Sequence, residues 1–420
     1  LKREELIAGN GLLELGTFVT ILLGTMYGGF LVRGDVGRWI LCATIVALSV
    51  IAWIAAMKMP SAPGDISLRI DWHVPRQTLK LMGYARERYD VFWAVLGASW
   101  FWFLGTALLV QLPVYTMTVL KADDTVSIIL TSMFTIGIGA GSLVTNRLLN
   151  GEVSAKYVPL AAILMTLFLI DLYFAAGHVH ANIAAPATID GVLHLNPPSA
   201  LFAMFNGWRV AFDFFATAFC GGIYAVPLNA IMQHRANPTR RSRVIAANNV
   251  MNAIFMIAAT IVSIVLLQVM TSRGLFLTLA LANAIAAVMI CRLLPQEFVA
   301  SIARQIFRLL YRVEVKGLEN FNAASRKAVI VGNHTSLLDG PLLSAFLPER
   351  ASFAINPHVA KKWGASLAFR FFQMIPIDPT NPMALRVLVE EVKKGRKVVI
   401  FPEGRLTVTG ALMKVYEGPG

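Results

Sequence analysis

Eight apolar segments of about 20 residues each, the length that crosses the hydrocarbon core of a bilayer as an α-helix, occupy most of the first 294 residues. With 56% hydrophobic and 15% charged residues, the chain is too apolar for a soluble, disordered or collagen-like protein. The sequence therefore predicts a polytopic α-helical membrane domain. Its predicted spans cover residues 12–32, 39–57, 91–112, 125–146, 157–177, 208–232, 244–269 and 274–294.

Cysteine content and net charge limit the kinds of ligand that the protein is expected to bind. Cys42, Cys220 and Cys291 all lie in apolar runs, so the sequence predicts neither a metal site nor redox chemistry. The formal net charge of +13 favours anionic membrane lipid over nucleic acid as the partner, because basic loops are typical of the cytoplasmic side of membrane proteins.

The character of the chain changes after Pro295. Short β-branched runs at 327–331, 351–355, 374–377 and 397–401 alternate with polar helical stretches, which is typical of an α/β domain. We therefore expect a membrane domain at 1–294, a linker helix at 295–312 and an α/β domain at 313–420.

The orientation follows from the basic residues of the loops. With eight spans, both ends of the chain lie on one side of the membrane, and that side has fifteen Lys and Arg residues against five on the other. The positive-inside rule therefore predicts a cytoplasmic α/β domain, in a protein of the cytoplasmic (inner) membrane.

The linker is predicted to be an amphipathic helix on the membrane surface. One face is apolar and the opposite face carries basic residues four apart, as in helices that lie on an anionic leaflet. The alternative is an ordinary amphipathic helix packed on the α/β domain. The apolar residues are Phe298, Ile302, Ile306, Leu309, Leu310 and Val313, and the basic ones are Arg304, Arg308 and Arg312.

Two short segments indicate an internal repeat. Residues 7–14 (I-A-G-N-G-L-L-E) and 245–252 (I-A-A-N-N-V-M-N) each open a span, and each is followed by one more span and then a boundary. If they are equivalent, each half has six spans, and the chain is a fragment that holds the last two spans of the first half and the complete second half. The alternative is chance similarity.

This layout resembles the major facilitator superfamily, in which a basic cytoplasmic loop joins two six-span halves. Within it, the chain is similar to lysophospholipid transporters at residues 10–14, 22–25 (L-L-G-T), 99–102 (S-W-F-W) and 111–113 (Q-L-P).

Ionisable residues inside the spans are candidates for transport, because burying a charge in a membrane is costly. Glu14, Asp171, Arg209 and Asp213 qualify. Arg209 and Asp213 are four residues apart and could pair on one helix face. They could contact a zwitterionic headgroup or a coupling ion, or Arg209 could simply extend to the interface beside Trp208.

Two further groups of residues allow two interpretations each. Asn248, Asn249 and Asn252 line the same cavity or join helices. The G-I-G-A-G stretch at 137–141 is expected to permit close helix packing and not to bind a nucleotide.

A candidate for catalysis follows the first predicted strand, in the sequence G-N-H-T-S-L-L-D at 332–339. At a strand-to-helix turn, Asp339 can reach His334, fix its tautomer and leave the other ring nitrogen as a general base. Alone, this spacing is weak evidence for catalysis, because a histidine that caps a helix beside a solvated aspartate is more frequent.

Two more motifs follow in order: I-P-I-D at 375–378 and F-P-E-G-R at 401–405. Together the three motifs resemble the glycerolipid acyltransferases, which include lysophosphatidate acyltransferases. The resemblance implies that His334 deprotonates a glycerol hydroxyl, that Asp339 supports it, and that the oxygen attacks an acyl thioester. It also implies an acceptor site formed by Phe401, Pro402, Glu403, Gly404 and Arg405, with Asn333 shaping the turn.

Two departures from that family qualify the comparison. Pro379 stands where many lysophosphatidate enzymes have Arg, which favours a phosphodiester headgroup over a phosphomonoester. The chain also lacks the family's fourth motif, so the domain is expected to be incomplete at its C-terminus.

A transporter of this type joined to such an acyltransferase resembles the bacterial acyl-[acyl-carrier-protein]–phospholipid O-acyltransferases, or 2-acylglycerophosphoethanolamine acyltransferases. The resemblance implies inward flipping of a lysophospholipid and its re-acylation, with acyl carrier protein or coenzyme A carrying the acyl group. No other cofactor is expected for these residues, although longer family members continue into an acyl-carrier-protein ligase. The alternatives are a lysophosphatidate acyltransferase and a transporter with a non-catalytic lipid-binding domain.

Overall fold

The computed structural model describes residues 5–31, 34–58, 73–149, 151, 153–189, 192–293, 295–324, 327–347, 351–355, 374–377, 384–404 and 406–407. The chain forms two compact units, Leu1–Val288 and Met289–Gly420.

Eight helices in the described part are long and apolar enough to cross a membrane, which confirms the predicted membrane domain. They are α1 (Glu5–Leu31), α2 (Asp35–Met57), α4 (Tyr89–Thr118), α5 (Asp124–Leu149), α6 (Val158–Asn182), α8 (Phe205–Arg235), α9 (Arg241–Leu267) and α10 (Ser272–Leu293).

Shorter elements that the apolar pattern did not predict connect these helices. The basic loop after α2 contains α3 (Val74–Arg86). Between α6 and α8 lie the antiparallel strands β1 (Ala187–Ile189) and β2 (Val192–His194) and the short α7 (Pro198–Phe202). A 3-10 turn (Pro238–Arg240) precedes α9.

The core of the membrane unit forms around α8, which packs against α4, α5 and α6, while α5 also packs against α1. The glycines of the G-I-G-A-G stretch permit this contact. A Cβ atom added at Gly137 or Gly141 would collide with the carbonyl oxygen of Phe215 or Phe219 on α8. The predicted role in helix packing is therefore confirmed.

Helix α2 buries none of its side chains. An apolar helix that is exposed on all sides is stable only in lipid or against further protein. Its largely apolar surface, with Trp39 76% and Trp53 65% exposed, is therefore consistent with a membrane span.

The second unit is built on a parallel four-stranded sheet with the strand order β3-β6-β4-β5. Its strands are β3 (Val329–Val331), β4 (Ala351–Ile355), β5 (Met374–Pro376) and β6 (Lys397–Ile400), close to the four predicted segments. The helices are α11 (Pro295–Tyr311), α12 (Leu318–Ala323), α13 (Asp339–Phe346) and α14 (Ala384–Lys393). Ala351, Phe353 and Val399 form the buried core of the sheet.

Helix α11 corresponds to the predicted linker helix, but one of its arginines differs from the expectation. Arg304 is buried, because its Nε donates to the carbonyl oxygen of Ala345 at the end of α13 at 2.8 Å. It is therefore not part of an exposed basic stripe. The apolar face is largely open, with Leu309 83% and Leu310 66% exposed. The helix thus packs on the α/β unit as in the alternative interpretation, and its membrane contact stays a prediction.

Candidate active site

The sheet topology brings two of the three sequence motifs together. Strands β3 and β6 are parallel neighbours, and the Gly332 N–H donates to the Ile400 carbonyl oxygen at 3.2 Å, just beyond the carboxyl end of β3. The His334 loop follows β3 and the F-P-E-G-R segment follows β6. Carboxyl ends of parallel strands are where α/β proteins usually bind ligands.

Two contacts join the His334 loop to the segment after β6. The Thr407 N–H donates to the His334 carbonyl oxygen at 2.8 Å. The rings of His334 and Phe401 are stacked, with their centroids 4.3 Å apart. The two motifs, about 60 residues apart in sequence, therefore form one site.

His334 and Asp339 form the pair that their spacing predicts. The distance between His334 Nδ1 and Asp339 Oδ2 is 2.9 Å, and the side chains are 22% and 17% exposed. The same carboxylate oxygen accepts hydrogen bonds from the Thr335 and Ser336 N–H groups, both at 2.8 Å. Asp339 is also the first residue of α13, so one carboxylate closes the loop, starts the helix and orients the imidazole, leaving Nε2 as the free ring nitrogen.

Hydrogen bonding keeps Asp339 ionised. Burial acts to raise its pKa, but the hydrogen bonds from the Ser336 N–H, the His334 ring and the Thr335 N–H together lower the pKa below its usual range. An ionised carboxylate next to Nδ1 stabilises an imidazolium, so His334 is equipped to take a proton at Nε2.

The F-P-E-G segment forms a tight turn that turns Glu403 inward. The Gly404 N–H donates to the Phe401 carbonyl oxygen at 3.0 Å, and Gly404 has φ = +65°, a conformation that favours glycine. Glu403 is 1% exposed, and neither of its carboxylate oxygens has a hydrogen-bond partner among the described residues. A buried carboxylate without partners is costly, so this position suits a group that donates hydrogen bonds.

The other predicted acceptor-site residues differ in their exposure, and some of them lie outside the described part of the chain. Pro402 is buried, and Asn333 is exposed beside His334. Arg405, Asp378 and Pro379 lie outside the described residues. Strand β5, which leads into the I-P-I-D motif, is three strand positions from β3, roughly 14 Å at the usual strand spacing.

The charged residues within the spans are arranged differently from the expectation. The predicted pairing of Arg209 with Asp213 is wrong. Arg209 on α8 pairs with Asp171 on α6, with Nε donating to Oδ2 at 2.8 Å and NH2 contacting Oδ1. Trp208 is 62% exposed, whereas Asp213 is only 1% exposed.

Glu14 belongs to a polar ladder between α1 and α8. Its Oε1 accepts from Asn229 at 3.1 Å, and its Oε2 is buried without a partner among the described residues. One turn away, the side-chain amides of Asn10 and Gln233 exchange hydrogen bonds of 3.3 and 3.0 Å. The residues that pair in this ladder are at least 215 positions apart in the sequence, so helix periodicity could not predict it.

The asparagines of α9 do not act as one group. Asn252 accepts a hydrogen bond from the Ser99 hydroxyl on α4 at 2.8 Å, which joins two helices. Asn248 is buried with an unpartnered Oδ1 in the described chain, and Asn249 is exposed. The role in helix contact therefore applies to Asn252.

Comparison with known proteins assigns a class to each part of this architecture. Residues 312–420 match the family model described as Acyltransferase. The α/β unit with the His334–Asp339 pair is thus an acyltransferase domain, as the sequence motifs predicted.

The N-terminal region is homologous to lysophospholipid transporters. The chain is 26% identical over 242 residues to the lysophospholipid transporter LplT of Citrobacter koseri, covering 55% of this chain and 51% of that protein. It is 27% identical over 254 residues to LplT of Serratia proteamaculans, covering 59% and 55%. The chain therefore spans about half the length of the curated relatives it matches. No solved structure matches the chain significantly.

Together these findings define the architecture: a multi-pass membrane part that is similar to lysophospholipid transporters is joined to an acyltransferase domain in one chain. This is the fusion that the sequence motifs predicted.

Proposed function

We propose that this protein moves a lysophospholipid inward across the membrane and re-acylates it at the acyltransferase domain. The observation that carries the proposal is the His334–Asp339 pair, held at the carboxyl ends of two parallel strands in a chain whose membrane part resembles lysophospholipid transporters. Joining both parts in one chain gives the enzyme a high effective concentration of its acceptor.

The reaction needs no covalent enzyme intermediate. His334 Nε2 takes the proton of the free glycerol hydroxyl as the oxygen attacks the thioester carbonyl carbon. The C–S bond of the resulting tetrahedral species then breaks, and the leaving thiolate takes the proton back from the imidazolium. The ionised Asp339 stabilises the imidazolium between these two steps.

The favoured acceptor is 2-acylglycerophosphoethanolamine. Pro379 in place of an Arg removes one positive charge that a phosphomonoester would need. The buried oxygens of Glu403, which have no partner among the described residues, favour an acceptor that supplies hydrogen-bond donors, and an ethanolamine ammonium group does so. The acyl donor is a thioester of acyl carrier protein or coenzyme A, delivered on the cytoplasmic side.

The acceptor is tested by acyl transfer from a labelled thioester in membranes that contain the full-length protein. Lysophosphatidylethanolamine and lysophosphatidate are supplied side by side, and His334→Ala serves as the control. We expect product from lysophosphatidylethanolamine that disappears in the variant. Product from lysophosphatidate alone would establish a lysophosphatidate acyltransferase. No product from either, with lysolipid uptake intact, would leave a transporter with a non-catalytic domain.

Phe401 is expected to position His334 and not to bind the acceptor, because its ring stacks on the imidazole. Phe401→Leu removes a stacked pair worth about 0.5–1.5 kcal/mol, so kcat should fall roughly 2- to 10-fold. The KM for the acceptor should stay constant, and Phe401→Tyr should restore kcat. Steady-state kinetics with varied acceptor distinguish the two roles, since a raised KM with constant kcat would assign Phe401 to acceptor binding.

A further inference from the structure

Three charged side chains meet where α6 packs on α8. Arg209 donates to both carboxylate oxygens of Asp171. Asp213 lies one helical turn beyond Arg209 on α8 and is 1% exposed. The site thus contains one guanidinium and two carboxyl groups inside a predicted membrane span.

The burial of the Asp213 carboxyl group favours a bound proton. The Asp213 side chain is only 1% exposed on α8, within the predicted span. A carboxylate buried in a membrane span without a cation of its own is costly, and burial therefore favours its protonated form. Arg209 is already engaged by Asp171, and Asp213 Oδ2 is buried without a partner in the described chain. Asp213 is therefore the carboxyl group that carries the proton.

The other described groups considered near Asp213, Tyr115 and Arg273, do not neutralise its carboxylate in place of the proton. Tyr115 of α4 lies within electrostatic range, and its hydroxyl is also buried without a partner among the described residues. Arg273 of α10 is stacked on the Tyr173 ring at 4.0 Å and donates to the Tyr173 carbonyl oxygen at 3.1 Å. Arg273 is held there and forms no described ion pair with Asp213.

We propose that Asp213 is a proton-binding site whose protonation is coupled to lysophospholipid movement. With the proton bound, Arg209, Asp171 and Asp213 together are neutral, and Asp213 can stay buried without a charge. Loss of the proton leaves one uncompensated negative charge, which favours a state in which water reaches the site. One proton is bound and released per cycle, and no other reactant is consumed. The proposal rests on the transport function proposed above.

The first test reads the proton directly and does not depend on transport. Infrared difference spectra of the full-length protein in lipid detect the C=O stretch of a protonated carboxyl group. We expect this absorption at neutral pH in the wild type and a lower intensity in Asp213→Asn, because the contribution of Asp213 is lost. The control Asp35→Asn removes an exposed carboxyl group that pairs with Arg38 on α2, and it should leave the band unchanged. A band that Asp213→Asn does not alter would overturn the proposal.

The second test reads the coupling in vesicles with the membrane potential clamped. A pH gradient of about one unit, acidic outside, can sustain at most about tenfold accumulation of lysophosphatidylethanolamine in the inner leaflet for one coupled proton. Albumin extracts the lysophosphatidylethanolamine of the outer leaflet, and the amount that remains measures the accumulation in the inner leaflet. Asp213→Asn should abolish accumulation but retain exchange without a gradient, because the amide mimics the protonated state. Asp35→Asn should accumulate like the wild type.

The two tests separate this proposal from the proposed function. Accumulation that persists in Asp213→Asn, or that follows a sodium gradient and not a pH gradient, would overturn the coupling role. If the wild type shows no exchange at all but the infrared band depends on Asp213, the proton site is supported, and the transport function and its coupling are refuted.

Discussion

Replacement of His334 by alanine is expected to lower the rate of acyl transfer by a factor of about 10² to 10⁴, the usual contribution of a positioned general base. The loss should appear in kcat, because the imidazole acts on the proton that moves in the transition state. Lysophospholipid uptake should persist, since His334 belongs to the second compact unit and the spans lie in the first. Labelled acyl transfer and labelled uptake, measured on the same membranes, check both statements.

Substitutions at Asp339 distinguish the two contributions of this carboxylate. In Asp339→Asn, the amide oxygen can still accept from the Thr335 and Ser336 N–H groups and from the His334 ring. The loop should therefore persist, and only the charge-assisted hydrogen bond is lost, worth about 1.5–3 kcal/mol, or about 10- to 100-fold in rate. Asp339→Ala also removes the acceptor that closes the loop, so it should approach the effect of His334→Ala.

The order of the acyl-transfer rates of these variants tests the mechanism. Equal activity of His334→Ala and the wild type would exclude His334 as the base. Loss of uptake together with acyl transfer in His334→Ala would show that the two parts do not act independently. Asp339→Asn at wild-type activity would mean that the negative charge contributes nothing to the imidazolium.

The parts of the fold that sequence predicts well are those with local causes. Eight apolar segments and four β-branched runs give the spans and strands, because length and hydrophobic pattern decide them within a single segment. The His334–Asp339 contact was predictable for the same reason, since the two residues are five positions apart in one turn.

Partners from distant segments could not be predicted in this way. Arg209 has a carboxylate four residues along its own helix, yet it pairs with Asp171 of α6. Only the packing of α6 on α8 decides between them. Similarly, the stacking of Phe401 on His334 depends on the adjacency of β3 and β6, which the chain order of the strands does not reveal.

The contact between α5 and α8 should be highly sensitive to substitutions that add a side chain. Gly141 faces the Phe219 carbonyl oxygen, and a Cβ at Gly222 of α8 would lie 2.6 Å from the Ile138 carbonyl oxygen and from the Ser142 nitrogen. These neighbours are backbone atoms and cannot move aside without separating the helices. Overpacking of this kind costs about 1–3 kcal/mol, occasionally more.

Gly141→Ala is therefore expected to lower the unfolding temperature in detergent, and the double variant Gly137→Ala with Gly141→Ala should yield little folded protein. The matched control is Gly105→Ala on α4, where an added Cβ has no neighbour within 4 Å. There alanine should be neutral or stabilising, because it favours a helix interior by about 1 kcal/mol over glycine. The same chemical change thus has opposite expected signs at the two positions. Thermal unfolding followed by tryptophan fluorescence measures both, and equal shifts would contradict the close approach of α5 and α8.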